Sequence, residues 1–153
     1  MLWSIAKPEP LTRSDSQLLR CVGQSFLYCE SLGGFSHTFK NLCVNIFIDV
    51  DYTLLAANGS LRPHARELLI RLREAGHVAY VWSGVGIRKD EMSAHDLDQW
   101  VEDYFIKPLE DFRAAVARLH LPVNPDLIVD DHAEIVRALG GVAVRPYFFE
   151  EAS

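Results

Sequence analysis

Six polar side chains of this 153-residue chain stand directly after short apolar runs: Asp49 and Asp51, Ser83, Lys107, and Asp130 and Asp131. Four carboxylates brought into one place repel one another, and such a cluster is costly without a cation. Oxygen ligands with room left for water suit a hard ion, with Mg²⁺ the natural choice. A lysine and a hydroxyl beside that ion would bind a doubly charged tetrahedral anion, of which phosphate is the common example. An aspartate can then serve as nucleophile, splitting transfer into phosphorylation and dephosphorylation of the protein. Zinc is disfavoured. Cys21, Cys29 and Cys43 form no C-x-x-C pair, and His64, His77, His95, His120 and His132 follow no metal-binding spacing.

The elements that must position these groups alternate from Val44 onward. Val44–Val50 is an apolar, β-branched and aromatic run that reads as a strand. Leu61, Ala65, Leu68, Leu69, Leu72 and Ala75 recur at helical spacing, with Pro63 early and Gly76 just past the end. Val78–Trp82 is a second strand, Lys89–Val101 a weaker helix and Tyr104–Ile106 a third strand. A helix then takes Leu109, Phe112, Val116 and Leu119 inward, with Pro108 at its entrance. Asp126–Val129, a short helix over His132–Leu139 and a strand over Val142–Val144 complete the series. Strands without polar alternation, each separated by a helix, predict a mostly parallel five-stranded sheet in a three-layer α/β/α sandwich. In such a sheet all carboxyl ends lie along one edge, where ligands bind. Residues 80 positions apart are thereby collected into one pocket.

Composition agrees with one soluble domain. Hydrophobic residues make up 49% and charged residues 24%, and the net charge is −6. An acidic balance argues against direct nucleic-acid binding or an anionic membrane surface. No apolar run reaches the ~20 residues that span a bilayer, and the N-terminus lacks the basic start of a secretory signal. A reducing, cytoplasmic setting is the expectation. Residues 1–43 form an extension ahead of the domain, which covers 44–153. They read either as a fraying tail or as a marginal helix that starts at Ser14 or Asp15, carries Leu18, Leu19, Val22 and Phe26, and ends at Gly33-Gly34. Valine can be encoded by a bacterial GTG start codon, so a start at Val44, with the extension an artefact of start-site assignment, is the competing expectation.

Asp49-Val50-Asp51-Tyr52-Thr53, Ser83, Lys107-Pro108 and Asp130-Asp131, each at a predicted strand end, resemble the four motifs of the haloacid dehalogenase-like (HAD) hydrolase superfamily. The resemblance spans residues 45–145. It implies an Mg²⁺-dependent phosphatase with Asp49 as nucleophile and Asp51 as general acid and then base. Asp49, the Asp51 carbonyl, Asp130 and Asp131 would hold Mg²⁺, Asp131 directly or through water. Thr53 would support the loop, Ser83 and the adjoining Gly84 would hold a phosphoryl oxygen, and Lys107 would neutralise charge on nucleophile and phosphate.

Members of that superfamily insert cap domains after the first motif or between the second and third. Here Leu54–Leu61 allows only a small hairpin flap around Asn58-Gly59, and 23 residues separate Ser83 from Lys107. A capless, open site is the expectation, suited to a phosphorylated small molecule or macromolecule, or closed by a second subunit in a homodimer. Tyr52 stands where many members carry Gly, narrowing the entrance or giving an aromatic surface. Asp131 has a structural alternative as cap of the next helix, and Asp90–Asp103 reads as a solvated acidic face. Two other functions compete. A non-catalytic phosphate-binding or regulatory protein would retain the same groups. A receiver-type phospho-acceptor domain would place its acidic pair after the first strand, whereas here the pair follows the fourth.

Overall fold

The computed structural model of the chain describes residues 43–148. The helix expected within 1–43 and the aromatic Phe149 lie outside the described residues. The elements run β1 (Asn45–Asp49), α1 (Ala65–Glu74), β2 (Val78–Ser83), α2 (Lys89–Ala94), a 3₁₀ turn (Asp98–Trp100), β3 (Tyr104–Ile106), α3 (Phe112–Arg118), β4 (Leu127–Asp130), α4 (Ala133–Leu139) and β5 (Gly141–Ala143). All five strands are parallel, in the order β3-β2-β1-β4-β5. The fold is a Rossmann-like α/β sheet flanked by helices. No described helix is long and apolar enough to cross a membrane.

Strand periodicity sorts the core into two layers, because successive side chains point to opposite faces. Ile46, Ile48, Ala79, Val81 and Val129 pack with Leu68, Leu69 and Leu72 of α1 and with Met92 of α2. Phe47, Trp82 and Ile128 pack on the other face with Ile135 and Val136 of α4, joined by Phe105, Phe112 and Val116. Trp82 is fully buried, with its indole edge-on to Phe47 at 5.4 Å.

Several boundaries differ from the sequence expectation, each for a backbone reason. The helix expected over Lys89–Val101 stops at Ala94, because Asp96 turns left-handed (φ 53°) and the Leu97 amide returns to the Met92 carbonyl. The helix expected from Leu109 begins at Phe112, after Asp111 adopts φ 53°. Pro108 therefore lies in a loop, and Leu109, expected inward, is 73% exposed. Leu119 is likewise exposed rather than buried. Helix α1 starts at Ala65 behind a left-handed His64, which releases Leu61 to pair with Leu55. That pairing, with the Ala56 amide bonded to the Ser60 carbonyl, makes the small hairpin around Asn58-Gly59. Strand β4 extends one residue further than expected, so Asp130 belongs to it, and β5 is Gly141–Ala143 rather than Val142–Val144.

Gly141 opens β5 at φ 149°, and a Cβ there would stand 1.9 Å from the Ile128 carbonyl oxygen. Backbone, not a flexible side chain, fills that space. Gly141→Ala is expected to destabilise the fold by about 3 kcal/mol or more, as read by the midpoint of urea unfolding at unchanged slope.

Candidate active site

The crevice lies at the carboxyl edge, between β1 and β4, where the chain reverses its direction of travel across the sheet. Open α/β sheets bind ligands at this switch point. Register does the positioning. Ile48 pairs with Val129, so the next residues, Asp49 and Asp130, emerge side by side. Ser83 pairs with Ile106, and the Lys107 amide donates to the Ser83 carbonyl at 3.0 Å. Asp49, Lys107 and Asp130 continue the alternation of Phe47, Phe105 and Ile128, all members of one core face. Ser83 continues that of Val81, which belongs to the other.

That alternation divides the polar groups into two sets. In the first, the Lys107 ammonium donates to Asp49 Oδ1 at 2.6 Å and to Asp130 Oδ2 at 3.0 Å. All three side chains are at most 5% exposed. In the second, the Ser83 hydroxyl donates to Asp51 Oδ2 at 2.8 Å and accepts from the Val85 amide at 3.2 Å. Arg88 Nη2 donates to Asp51 Oδ1 at 2.7 Å, and its Nη1 reaches Glu91 at 2.6 Å. Both Asp51 oxygens are thus engaged. The Ser83 hydroxyl, expected to meet a phosphoryl oxygen, is the group that holds Asp51 Oδ2 here.

Arg88 is the functional candidate that sequence reading missed. It follows the loop Gly84-Val85-Gly86-Ile87, and nothing in its spacing tied it to Asp51. Glu91 was read as part of a solvated acidic face, but it is half-buried and paired with Arg88.

Thr53 Oγ1 accepts the Asp131 amide at 3.1 Å, tying the loop after β1 to the end of β4. Asp131 does not cap α4. The N-cap is His132, without a side-chain cap bond, and the His132 amide is held by Asp130 Oδ1 at 2.8 Å. His132 Nδ1 lies 2.9 Å from Asp131 Oδ1 and 3.2 Å from Asp130 Oδ1. Among the described residues, Asp130, Asp131 and His132 form the group whose ligand atoms all lie within 4.8 Å of one another. It adds a ring nitrogen to the all-oxygen set expected from sequence.

Tyr52 sits at φ 60°, a left-handed conformation that costs a residue with a Cβ roughly 1 kcal/mol. The C-terminal segment braces it. The Tyr147 amide donates to the Tyr52 carbonyl at 2.7 Å, and the Phe148 ring lies 5.4 Å from the Tyr52 ring. Arg62 donates to the same Tyr52 carbonyl and to the Arg145 carbonyl, with its guanidinium 5.5 Å from the Tyr147 ring.

Electrostatics single out Asp49. Burial, reinforced by Asp130, pushes its carboxyl up to about 7 although Lys107 pulls the other way. Thr53 favours its ionised form slightly without bonding to Oδ2, which is buried and lacks a hydrogen-bond partner among the described residues. Burial opposes the charge on Lys107 too, but Asp49 and then Asp130 outweigh it and raise its pKa above the lysine norm. Among the described residues, Asp49, Asp51, Asp130 and Asp131 face only Lys107 and Arg88 as full cations. An excess of carboxylate oxygen and a buried acceptor without a donor fit a hard divalent cation.

No family model matches the chain, and no curated protein matches it. Among solved structures, the chain is similar to the NMR structure of the core domain of "a putative phosphoglycolate phosphatase from Streptococcus pneumoniae TIGR4". The TM-score is 0.43 at 14% identity, over 72% of this chain and 90% of that one.

A raised carboxyl pKa has a definite sign in stability. Between 3.8, its value in the unfolded chain, and about 7, folded Asp49 keeps a proton that the unfolded chain releases. Its contribution is therefore complete below the lower value and is lost as pH rises through the upper one. In EDTA, the unfolding free energy of wild type is expected to fall over this window relative to Asp49→Asn, by on the order of 2–4 kcal/mol. Parallel pH profiles for the two proteins would show that Asp49 titrates normally.

Proposed function

We propose that the protein is a phosphohydrolase of the HAD-like type, cleaving phosphate monoesters through an aspartyl-phosphate on Asp49 with Mg²⁺ as cofactor. The observation that carries it is the buried bridge of Lys107 between Asp49 and Asp130, which leaves one Asp49 oxygen without a hydrogen-bond partner among the described residues at the sheet's switch point. That oxygen is the nucleophile. It attacks phosphorus as the P–O bond to the leaving alcohol breaks, and Asp51 supplies the proton that the departing alkoxide takes up. Water then attacks the same phosphorus, giving its proton to Asp51 and releasing phosphate, so that Asp49 is regenerated.

Lys107 restrains Asp49 and offers its positive charge to the equatorial oxygens, where phosphoryl transfer needs it. Asp49, Asp130 and Asp131 would hold the Mg²⁺ together with the Asp51 main-chain carbonyl, with His132 beside them. When bound, the ion supplies charge neutralisation to the phosphoryl oxygens. Ser83 and Arg88 keep the Asp51 carboxylate in place, so the acid need not be ordered at the moment of reaction. The substrate is a phosphorylated small molecule or macromolecule reaching a site over which the described residues place no cap domain.

The direct test is Mg²⁺-dependent release of phosphate from a panel of phosphate monoesters. Asp49→Asn is expected to lower kcat by roughly 10³-fold or more, and activity indifferent to that change would falsify the mechanism. Asp51→Asn is expected to slow turnover with little change in the inhibition constant of inorganic phosphate; equal loss of both would remove Asp51 from acid-base duty. Arg88→Gln, which frees Asp51 Oδ1, is expected to lower kcat by about 10-fold or more at nearly constant KM, with partial rescue in Arg88→Lys. Unchanged kcat would show that Arg88 plays no positioning part.

A further inference from the structure

The loops that carry Ser83 and Lys107 continue directly into exposed aliphatic side chains. Val85 is 74% exposed and Leu109 is 73% exposed, although each lies two residues from a buried polar group of the site. They are held there. The Val85 amide is bonded to the Ser83 hydroxyl. Leu109 rests on Gly84 so closely that a Cβ at position 84 would stand 2.5 Å from Leu109 Cδ2, and the same Cβ would lie 3.8 Å from Lys107 Cε. Leu109 thus covers the loop immediately outside the lysine. Across the sheet order, on the β5 side of the crevice, Phe148 is 63% exposed beside the Tyr52 ring.

The charges near this rim are poor partners for a second anion or a polar leaving group. Arg88 is already paired with Asp51 and Glu91. Glu110 and Asp111, both exposed, follow Leu109 directly. A leaving group carrying its own phosphate or carboxylate would meet the Glu110 and Asp111 carboxylates beside Leu109, and a polyhydroxylated one would cover apolar surface while losing water. An alkyl or aryl group would instead bury part of Leu109 and Val85 along with itself.

We propose that the site is specific for phosphate monoesters of apolar alcohols, whose hydrocarbon leaving group lies against Leu109 and Val85 while the phosphoryl group enters the Lys107 centre. This rests on the phosphohydrolase function proposed above and adds the substrate class to it. Neither side chain belongs to the catalytic set.

Straight-chain alkyl phosphates from ethyl to hexyl test it, since their leaving groups have nearly the same pKa and differ only in hydrocarbon. For wild type, kcat/KM is expected to rise about two- to fourfold per methylene over the first few carbons, and propyl phosphate to exceed glycerol phosphate by about 10-fold or more. Leu109→Ser and Val85→Ser are expected to flatten the series while leaving ethyl phosphate turnover within about threefold and inhibition by inorganic phosphate unchanged. A flat wild-type series with measurable ethyl phosphate turnover overturns the substrate class and leaves the phosphohydrolase function standing. A slope that persists in both variants overturns the assignment of these residues. Calorimetric titration with alkyl phosphonates of the same lengths covers the case of no turnover: an affinity independent of chain length overturns the proposal there as well. A dimer by light scattering that Leu109→Ser dissociates, with a flat series, would show that a second copy occupies the patch instead.

Discussion

An ammonium group buried between two carboxylates is stable only where its hydrogen bonds are made and its charge is matched. Lys107 meets that condition at the crevice, 2.6 Å from Asp49 and 3.0 Å from Asp130. The rest of the site follows from it. Removing either carboxylate would leave the lysine less well matched, and removing the lysine would leave two acids side by side at the end of β1 and β4. Asp49 and Asp130 end β1 and β4, and Lys107 directly follows β3, so the ion pair also ties the three strand ends together. The balance is not complete even so, because Asp49 keeps a buried oxygen without a donor among the described residues. A site that folds with one acceptor unsatisfied stores part of the driving force for whatever later satisfies it.

Strand alternation explains why the polar groups separate into two functional sets. Asp49, Lys107 and Asp130 share the parity of Phe47, Phe105 and Ile128, and they meet. Ser83 has the parity of Val81 and turns to Asp51, which lies beyond the end of β1 on the loop. Asp49, Lys107 and Asp130 are buried at strand ends. Asp51 is half-buried and is held by a hydroxyl and by an arginine on the following segment.

The motif loop is secured from the far end of the chain. Tyr52 occupies a backbone conformation that favours glycine, and the segment Arg145–Phe148 supports it through the Tyr147 amide, the Phe148 ring and the Arg62 clamp. Tyr147 and Phe148, after β5, are thus part of the site's scaffold. Thr53 does similar work on the opposite side by accepting the Asp131 amide. An apolar pocket lined by Ile48, Leu54, Leu68, Val129 and Val144 lies behind Thr53. It lacks the paired carboxylates and lysine that define the crevice.

By itself the sequence determined the strand-helix alternation, the parallel sheet and the polar residues at the strand ends, because periodicity and flanking turn residues are local properties. It placed Asp49, Asp51, Ser83, Lys107, Asp130 and Asp131 along one edge, for every parallel strand ends on the same side. What it did not contain was register. Which of those side chains touch depends on how one strand is aligned against the next, and a one-residue slip reverses every face. Only the tertiary structure therefore gave Asp130 to Lys107 and Ser83 to Asp51, brought Arg88 into the site, and turned Leu109 outward where a left-handed Asp111 delayed the helix. Those outcomes come from contacts between residues far apart in the chain and from single backbone dihedrals, neither of which leaves a periodic mark in the order of amino acids.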